Sequence, residues 1–176
     1  MTHPSVERLR NFVREVPDFP TPGIQFKDIT PLLGDEEAFA TVVDLLAQHF
    51  DRQGVNRVLG IEARGFIIAA PVAYRLDAGF VPARKHGKLP WETIGIDYEL
   101  EYGAERLELH SDAVQPGDRV LIIDDVLATG GTARAAADAV DKLGAGVVGI
   151  GVIIELSFLN GRDKLDGIDL YSVLAY

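Results

Sequence analysis

The stretch from Val120 to Ile154 constrains this chain most. Val120 to Ile123 is an unbroken apolar run, as in a strand covered on both faces. Asp124 and Asp125 stand at its end, and a short loop, Ala128-Thr129-Gly130-Gly131-Thr132, follows. A helix is predicted from Ala133 to Leu143, ended by Gly144, and then a second apolar strand from Val147 to Ile154. Two buried strands joined through a helix belong to a parallel sheet.

The same alternation recurs upstream. Asp35 is placed to cap a helix from Glu36 to Arg52, in which Phe39, Val42 or Val43, Leu46 and Phe50 recur at helical spacing. Arg57 to Ile61 reads as a buried strand, Glu62-Ala63-Arg64-Gly65 as a connection, and Phe66 to Leu76 as a helix containing Pro71. Phe80 to Ala83 is a further strand. Leu107 and Leu109 share one face of another, and Leu170 to Leu174 reads as an edge strand. The expected architecture is α/β: an open, mainly parallel, twisted sheet flanked by helices.

Two segments break the pattern. Pro17, Pro20, Pro22 and Gly23 forbid a helix, so residues 17–34 are expected to form an extended, stiffened loop, preceded by a short amphipathic helix. Residues 86–104 show no clean periodicity and read as a lid loop.

Composition narrows the function. The chain has 176 residues and suits one domain. It has no cysteine, which removes disulfides and thiol chemistry and is compatible with the cytoplasm. No apolar run is long enough to span a membrane, and the start lacks a signal-peptide layout. A net charge of -10 argues against a nucleic-acid partner. Against that background Arg84, Lys85 and Lys88, with His86 among them, form a local cationic cluster suited to a small, multiply charged anion.

Val120–Thr132 carries the chemistry. Glycines and small residues let backbone N–H groups approach a phosphate, Thr129 and Thr132 add hydroxyls, and the helix start adds its dipole. Adjacent carboxylates would repel that phosphate unless they faced something else, such as sugar hydroxyls. Acids beside an anion nest therefore imply a phosphorylated sugar. An acid-capped turn with no ligand is the plainer alternative. Neither a Walker A sequence nor a GxGxxG fingerprint is present at the corresponding turns.

This segment resembles the phosphoribosyl diphosphate signature of the type I phosphoribosyltransferases. The likeness extends to PDFPTPGIQFKDITPLL at 17–33, ARKHGKLP at 83–90, LEYG at 100–103 and ELSFLNGRDKL at 155–165. The proline-rich segment resembles the members that use adenine. The resemblance implies that family's fold, with residues 1–34 as an N-terminal helix and base-binding hood and 35–176 as the core, mobile lid included. It implies transfer of the 5-phosphoribosyl group from phosphoribosyl diphosphate to adenine, giving AMP and diphosphate. The alternatives are another purine (xanthine or hypoxanthine/guanine) as acceptor, or a regulator that senses phosphoribosyl diphosphate without turnover.

By the same resemblance, Asp124 and Asp125 hold the ribose hydroxyls, and Ala128, Thr129, Gly130, Gly131 and Thr132 hold the 5′-phosphate. Glu62, Ala63 and Arg64 form the pyrophosphate loop, with a cis Glu62–Ala63 peptide. Arg84, Lys85 and Lys88 contact the same group. Glu101 exchanges a proton with adenine, accompanied by Tyr102, and the base packs near Ile24, Gln25, Phe26 and Lys27. Arg64, Lys85 and Glu101 are thus the catalytic candidates. Mg2+ would be bound mainly through the substrate diphosphate, with no dedicated protein ligands, and a homodimer is implied. Lys27 stands where arginine is common in the family, and Gln25 where an apolar residue is common.

Overall fold

The computed structural model describes residues 4–100 and 103–176. Helix α1 (Pro4–Arg10) leads into a two-stranded antiparallel ribbon, β1 (Arg14–Pro17) and β2 (Gln25–Asp28). Helices α2 (Thr30–Gly34) and α3 (Glu36–Phe50) follow, then β3 (Arg57–Ile61), α4 (Arg64–Arg75) and β4 (Gly79–Lys85). A hairpin of β5 (Thr93–Leu100) and β6 (Gly103–His110) precedes β7 (Arg119–Leu127), α5 (Gly131–Lys142), β8 (Gly146–Glu155) and β9 (Leu170–Ala175). Two short 3-10 turns, Ser157–Leu159 and Gly161–Leu165, lie between β8 and β9.

Seven strands form one sheet in the order β5-β6-β4-β3-β7-β8-β9. The five from β4 to β9 are parallel to their neighbours, and the hairpin joins antiparallel at β4. The mainly parallel sheet is as expected. The central strands β3, β7 and β8 carry near-continuous buried apolar runs because both faces are covered. Leu121 and Ile123 turn to the layer holding α3 and α4, while Val120 and Ile122 turn to α5. Ala136, Ala137 and Ala139 let α5 lie close on the sheet. Asp35 Oδ1 accepts from the Ala38 N–H at 2.9 Å and starts α3 as expected. Val42, Val43, Leu46 and Phe50 are all buried beneath it, whereas Phe39 is partly exposed at the rim.

Four local expectations need correction. Residues 17–34 are not one extended loop. Gln25–Asp28 is a strand, and Thr30–Gly34 a helical turn with Pro31 in its first turn, where a missing N–H costs nothing. The lid segment 86–104 is not a loop throughout: Thr93 to Leu100 pair residue by residue with His110 to Gly103. Strand β7 runs on through Asp124 and Asp125, because Asp124, Val126 and Leu127 pair with Val152, Ile154 and Glu155 of β8. Gly131 and Thr132 belong to the first turn of α5 rather than to the loop before it.

Candidate active site

Chain order reverses across the sheet between β3 and β7, since β4 lies on one side of β3 and β7 on the other. A crevice at the carboxyl ends of the strands forms at such a point. It holds a cleft of about 310 Å³ walled by Glu62, Ala63 and Arg64 after β3, Lys85 at the end of β4, and Asp124, Asp125 and Thr132. Tyr98 and Glu105 of the hairpin complete the wall. Residues from five separate sequence regions thus meet around one space.

The two aspartates are held unlike surface acids. Asp125 is buried, and its backbone N–H donates to Asp124 Oδ1 at 2.8 Å. Burial, and then the Asp125 charge alongside, push the Asp124 carboxyl well above its ordinary range. Burial also raises Asp125, and Arg64 opposes that rise from 2.8 Å, Nε to Oδ2. That contact is one of charge rather than an aligned hydrogen bond, and Oδ2 keeps its hydrogen-bonding capacity unused. Carboxylates packed this way call for a donor-rich ligand. Gly65 permits the arrangement, for a Cβ there would lie 3.0 Å from Asp124 Oδ1 and from the Ile123 carbonyl oxygen.

The nest beside them is built by close backbone approach. Gly130 precedes α5 with φ +78°, the left-handed region in which glycine is unstrained. Gly161 backs it: a Cβ on Gly161 would stand 2.1 Å from the Ala128 carbonyl oxygen and 2.9 Å from the Gly130 nitrogen. The turn carrying Gly161 is itself held by Arg162, which forks onto the buried Glu155 at 2.9 and 2.6 Å. Ser172 Oγ donates to the same carboxylate. Ala128 and Thr129 span the gap between β7 and Gly130, and Gly131 and Thr132 present the first orphan N–H groups of the helix.

The Glu62–Ala63 peptide is cis. The Glu62 side chain is 8% exposed and gathers the cationic stretch. It pairs with Lys88, accepts from the Lys85 N–H at 3.0 Å, and meets Arg84 Nε at 3.3 Å. Burial alone would raise its carboxyl, but those donors outweigh it and hold Glu62 below its ordinary value. Lys85 Nζ donates to Glu105 at 2.8 Å, and Glu105 also receives the Tyr98 hydroxyl at 2.9 Å. Lys85 and then Tyr98 keep Glu105 ionised, against the desolvation it suffers. Tyr98 is pushed up to about 12, chiefly by burial, and stays protonated at neutral pH.

On the N-terminal ribbon, Phe26 points at the cleft, with the Arg64 guanidinium 5.2 Å from its ring. Ile24 and Gln25 are exposed. Lys27 turns the other way, to Glu15 and the Tyr176 ring. Glu101 and Tyr102 lie outside the described residues. Sequence reasoning passed over Tyr98, Glu105 and Gly161. Tyr98 carried a signal in the alternation of Ile94, Ile96 and Tyr98 along one strand, and Glu105 in that of Glu105, Leu107 and Leu109 along the next; Gly161 lay within ELSFLNGRDKL, which pointed to no role for it.

A sheet of this topology, with an acid pair and an anion nest at its switch point, defines a phosphoribosyltransferase. Comparison bears this out, since the phosphoribosyl transferase domain family matches residues 32–169. The adenine phosphoribosyltransferase of Symbiobacterium thermophilum is 58% identical over 168 residues, covering 96% of this chain and 99% of that one. The crystal structure of adenine phosphoribosyltransferase from Rhodothermus marinus superposes with a TM-score of 0.94 at 50% identity, over 98% of both chains. That of the Saccharomyces cerevisiae enzyme, complexed with an imino-altritol bisphosphate and adenine, gives 0.91 at 36% identity, over 97% of this chain and 98% of the other. The chain belongs to the adenine phosphoribosyltransferases of the type I phosphoribosyltransferase family.

Proposed function

We propose that the chain transfers the 5-phosphoribosyl group of phosphoribosyl diphosphate to adenine, releasing AMP and diphosphate. The observation that carries this reading is the meeting of the Asp124–Asp125 pair, Arg64 and Lys85 in one cleft with Thr132, which ends the glycine nest at the start of α5. The nest takes the 5′-phosphate through Ala128–Thr132. The acids accept the ribose 2′ and 3′ hydroxyls, which gives Asp125 Oδ2 the donor it lacks. That places C1 of the sugar toward Arg64 and the cationic stretch.

The C1–oxygen bond breaks with its electron pair going to diphosphate. Arg64, Lys85, Arg84 and Lys88 stabilise the leaving oxygens. Before substrate enters, Glu62 holds Arg84 and Lys88, Glu105 holds Lys85 and Asp125 holds Arg64, so little rearrangement is needed when the diphosphate takes over as their partner. An adenine ring nitrogen forms the new bond to C1, and the proton lost by the base passes to Glu101. Tyr102 accompanies Glu101 in that role. The hairpin excludes water from the cationic sugar centre.

Among the described residues no group of three or more His, Asp or Glu could hold a metal ion. Besides Glu62 and Glu105, which are engaged with the cations, the cleft offers the hard oxygens of Asp124 and Asp125, a pair that fits a magnesium ion drawing most of its shell from the diphosphate and water. When bound, the ion spreads the charge of the leaving group. The base is taken to lie against Phe26, between the backbone of Ile24–Lys27 and the cleft, with residues 1–34 as its hood and 35–176 as the catalytic core.

Ile67 and Tyr74 on α4, and Phe80, are exposed apolar side chains that support a homodimer. No described helix is long and apolar enough to cross a membrane, and a cytoplasmic setting is in keeping with the substrates. Diphosphate release is the test, with the protein, magnesium and phosphoribosyl diphosphate supplied with each purine in turn. Adenine should give turnover and the 6-oxo purines background; no release with adenine would refute the proposal. Glu101→Gln should lower kcat at least about 100-fold while leaving phosphoribosyl diphosphate binding nearly unchanged.

A further inference from the structure

The N-terminal ribbon consists of four residue pairs in an isolated two-stranded sheet, from Arg14↔Asp28 to Pro17↔Gln25. So small a ribbon is marginal by itself and needs tethering. The tether comes from the far end of the sequence. Lys27 Nζ sits 4.1 Å over the centroid of the Tyr176 ring and pairs with Glu15 across the ribbon. Arg10 sits over the same ring at 4.7 Å and donates to the Ala175 carbonyl at 2.7 Å. Tyr176 is fixed in turn: its N–H donates to the Glu155 carbonyl, and its carbonyl accepts from the Ser157 N–H, both at 2.9 Å. The Lys27 side chain is only 12% exposed, so these contacts are partly desolvated.

Side chains alternate along a strand, so Lys27 and Phe26 point to opposite faces of β2. Fixing Lys27 therefore fixes the face from which Phe26 looks at Arg64. A slip of one residue would exchange the two. Accepting the ribbon as the adenine hood, we propose that Tyr176 is a positioning residue for the base: its ring anchors Lys27 and thereby sets the Phe26 wall of the adenine pocket. The side chain of Lys27 then serves hood anchoring rather than base contact.

The experiment compares Tyr176→Leu, which keeps apolar bulk but loses the π face, with Tyr176→Phe, which keeps the face. Tyr176→Leu should raise KM for adenine about three- to tenfold, the range of a part-desolvated cation–π contact, with kcat and the phosphoribosyl diphosphate KM within about twofold. Tyr176→Phe should match the parent. If Tyr176→Leu does not fold, Lys27→Met reads the same contact from the other side and should give the same adenine-selective rise. Phe26→Ala is the control. An effect of Phe26→Ala without one of Tyr176→Leu overturns the anchor and leaves the hood standing. Silence of both overturns the hood and the anchor together. A rise in both KM values, or equal effects of Leu and Phe, also refutes the proposal.

Discussion

Gly161→Ala tests whether the phosphate nest is shaped from behind. The new Cβ would stand 2.1 Å from the Ala128 carbonyl oxygen and 2.9 Å from the Gly130 nitrogen, where ordinary contact begins at 3.4 Å. Both obstacles are backbone, so no side chain can swing clear. The nest must move by about 1 Å, or the turn anchored through Arg162 and Glu155 must give way. Overpacking of this kind costs about 1–3 kcal/mol, and in a chain this size each kcal/mol lowers Tm by roughly 2–4 °C. A misplacement near 1 Å in a positioning element can cost about 100-fold in rate. Gly161→Ala should therefore lower kcat/KM for phosphoribosyl diphosphate about 100-fold, while the melting temperature drops only by about 2–12 °C. Steady-state kinetics, calorimetric titration with phosphoribosyl diphosphate and thermal melts read the three quantities. Gly117→Ala separates strain from crowding: Gly117 has φ +93° but nothing within 4 Å, so stability should fall without loss of substrate affinity. A Gly161→Ala protein that binds phosphoribosyl diphosphate within twofold of the parent would refute the reasoning.

Asp124→Asn should melt higher than the parent without ligand, yet lose about 10- to 100-fold in kcat/KM with the charge-assisted bond to the ribose. The folded-state pKa of Asp124 is raised, so its ionisation costs stability at neutral pH, and that cost fades as pH falls through the folded value toward the unfolded one. The advantage of Asn, followed by thermal melts, should shrink over the same range; an unchanged melting temperature at neutral pH would contradict this. Glu62→Gln should raise the phosphoribosyl diphosphate KM about three- to tenfold by loosening Arg84 and Lys88. Because its folded pKa is depressed, Glu62 adds stability above its ordinary value that is lost as pH falls through the folded one; pH-dependent melts of the variant should lack that component. Tyr98→Phe removes the hydroxyl that donates to Glu105 at 2.9 Å and should speed protease cleavage of the hairpin, read by limited proteolysis against the parent.

The parallel core was readable because its signal is local and redundant. Val120–Ile123, Arg57–Ile61 and Val147–Ile154 are apolar on both faces, and each is punctuated by a capped or glycine-ended helix. The hairpin was obscured by its own packing. Ile94, Ile96 and Tyr98 alternate as a strand should, but Gly95 interrupts the reading. The structure explains that glycine: a Cβ there would meet the Arg106 guanidinium at 2.3 Å, and Arg106 crosses it to reach Asp97 at 3.1 Å. A residue that looks like a breaker is making room for a side chain on the partner strand. Residues 30–34 were hidden by the prolines before them: Pro17, Pro20 and Pro22 exclude a helix in their own stretch, while Pro31 sits in a first turn, where proline is favoured.

The site divides along the same line. Acids, threonines and cations announce themselves, because few other arrangements need those groups together. What places them is chemically silent and distant in sequence. Gly161 shapes a loop some thirty residues before it, Glu155 holds the turn that carries Gly161, and the backbone at Glu155 also fixes Tyr176, against which Lys27 rests. One segment after β8 therefore braces both the sugar-phosphate nest and the ribbon that carries Phe26. Replacing the Glu155 side chain or Gly161 should then disturb chiefly phosphoribosyl diphosphate, whereas Tyr176, held by the Glu155 main chain that any substitution keeps, should affect adenine. That branching is a property of contacts between β8, β9 and the ribbon, and no local pattern in any of the three segments encodes it.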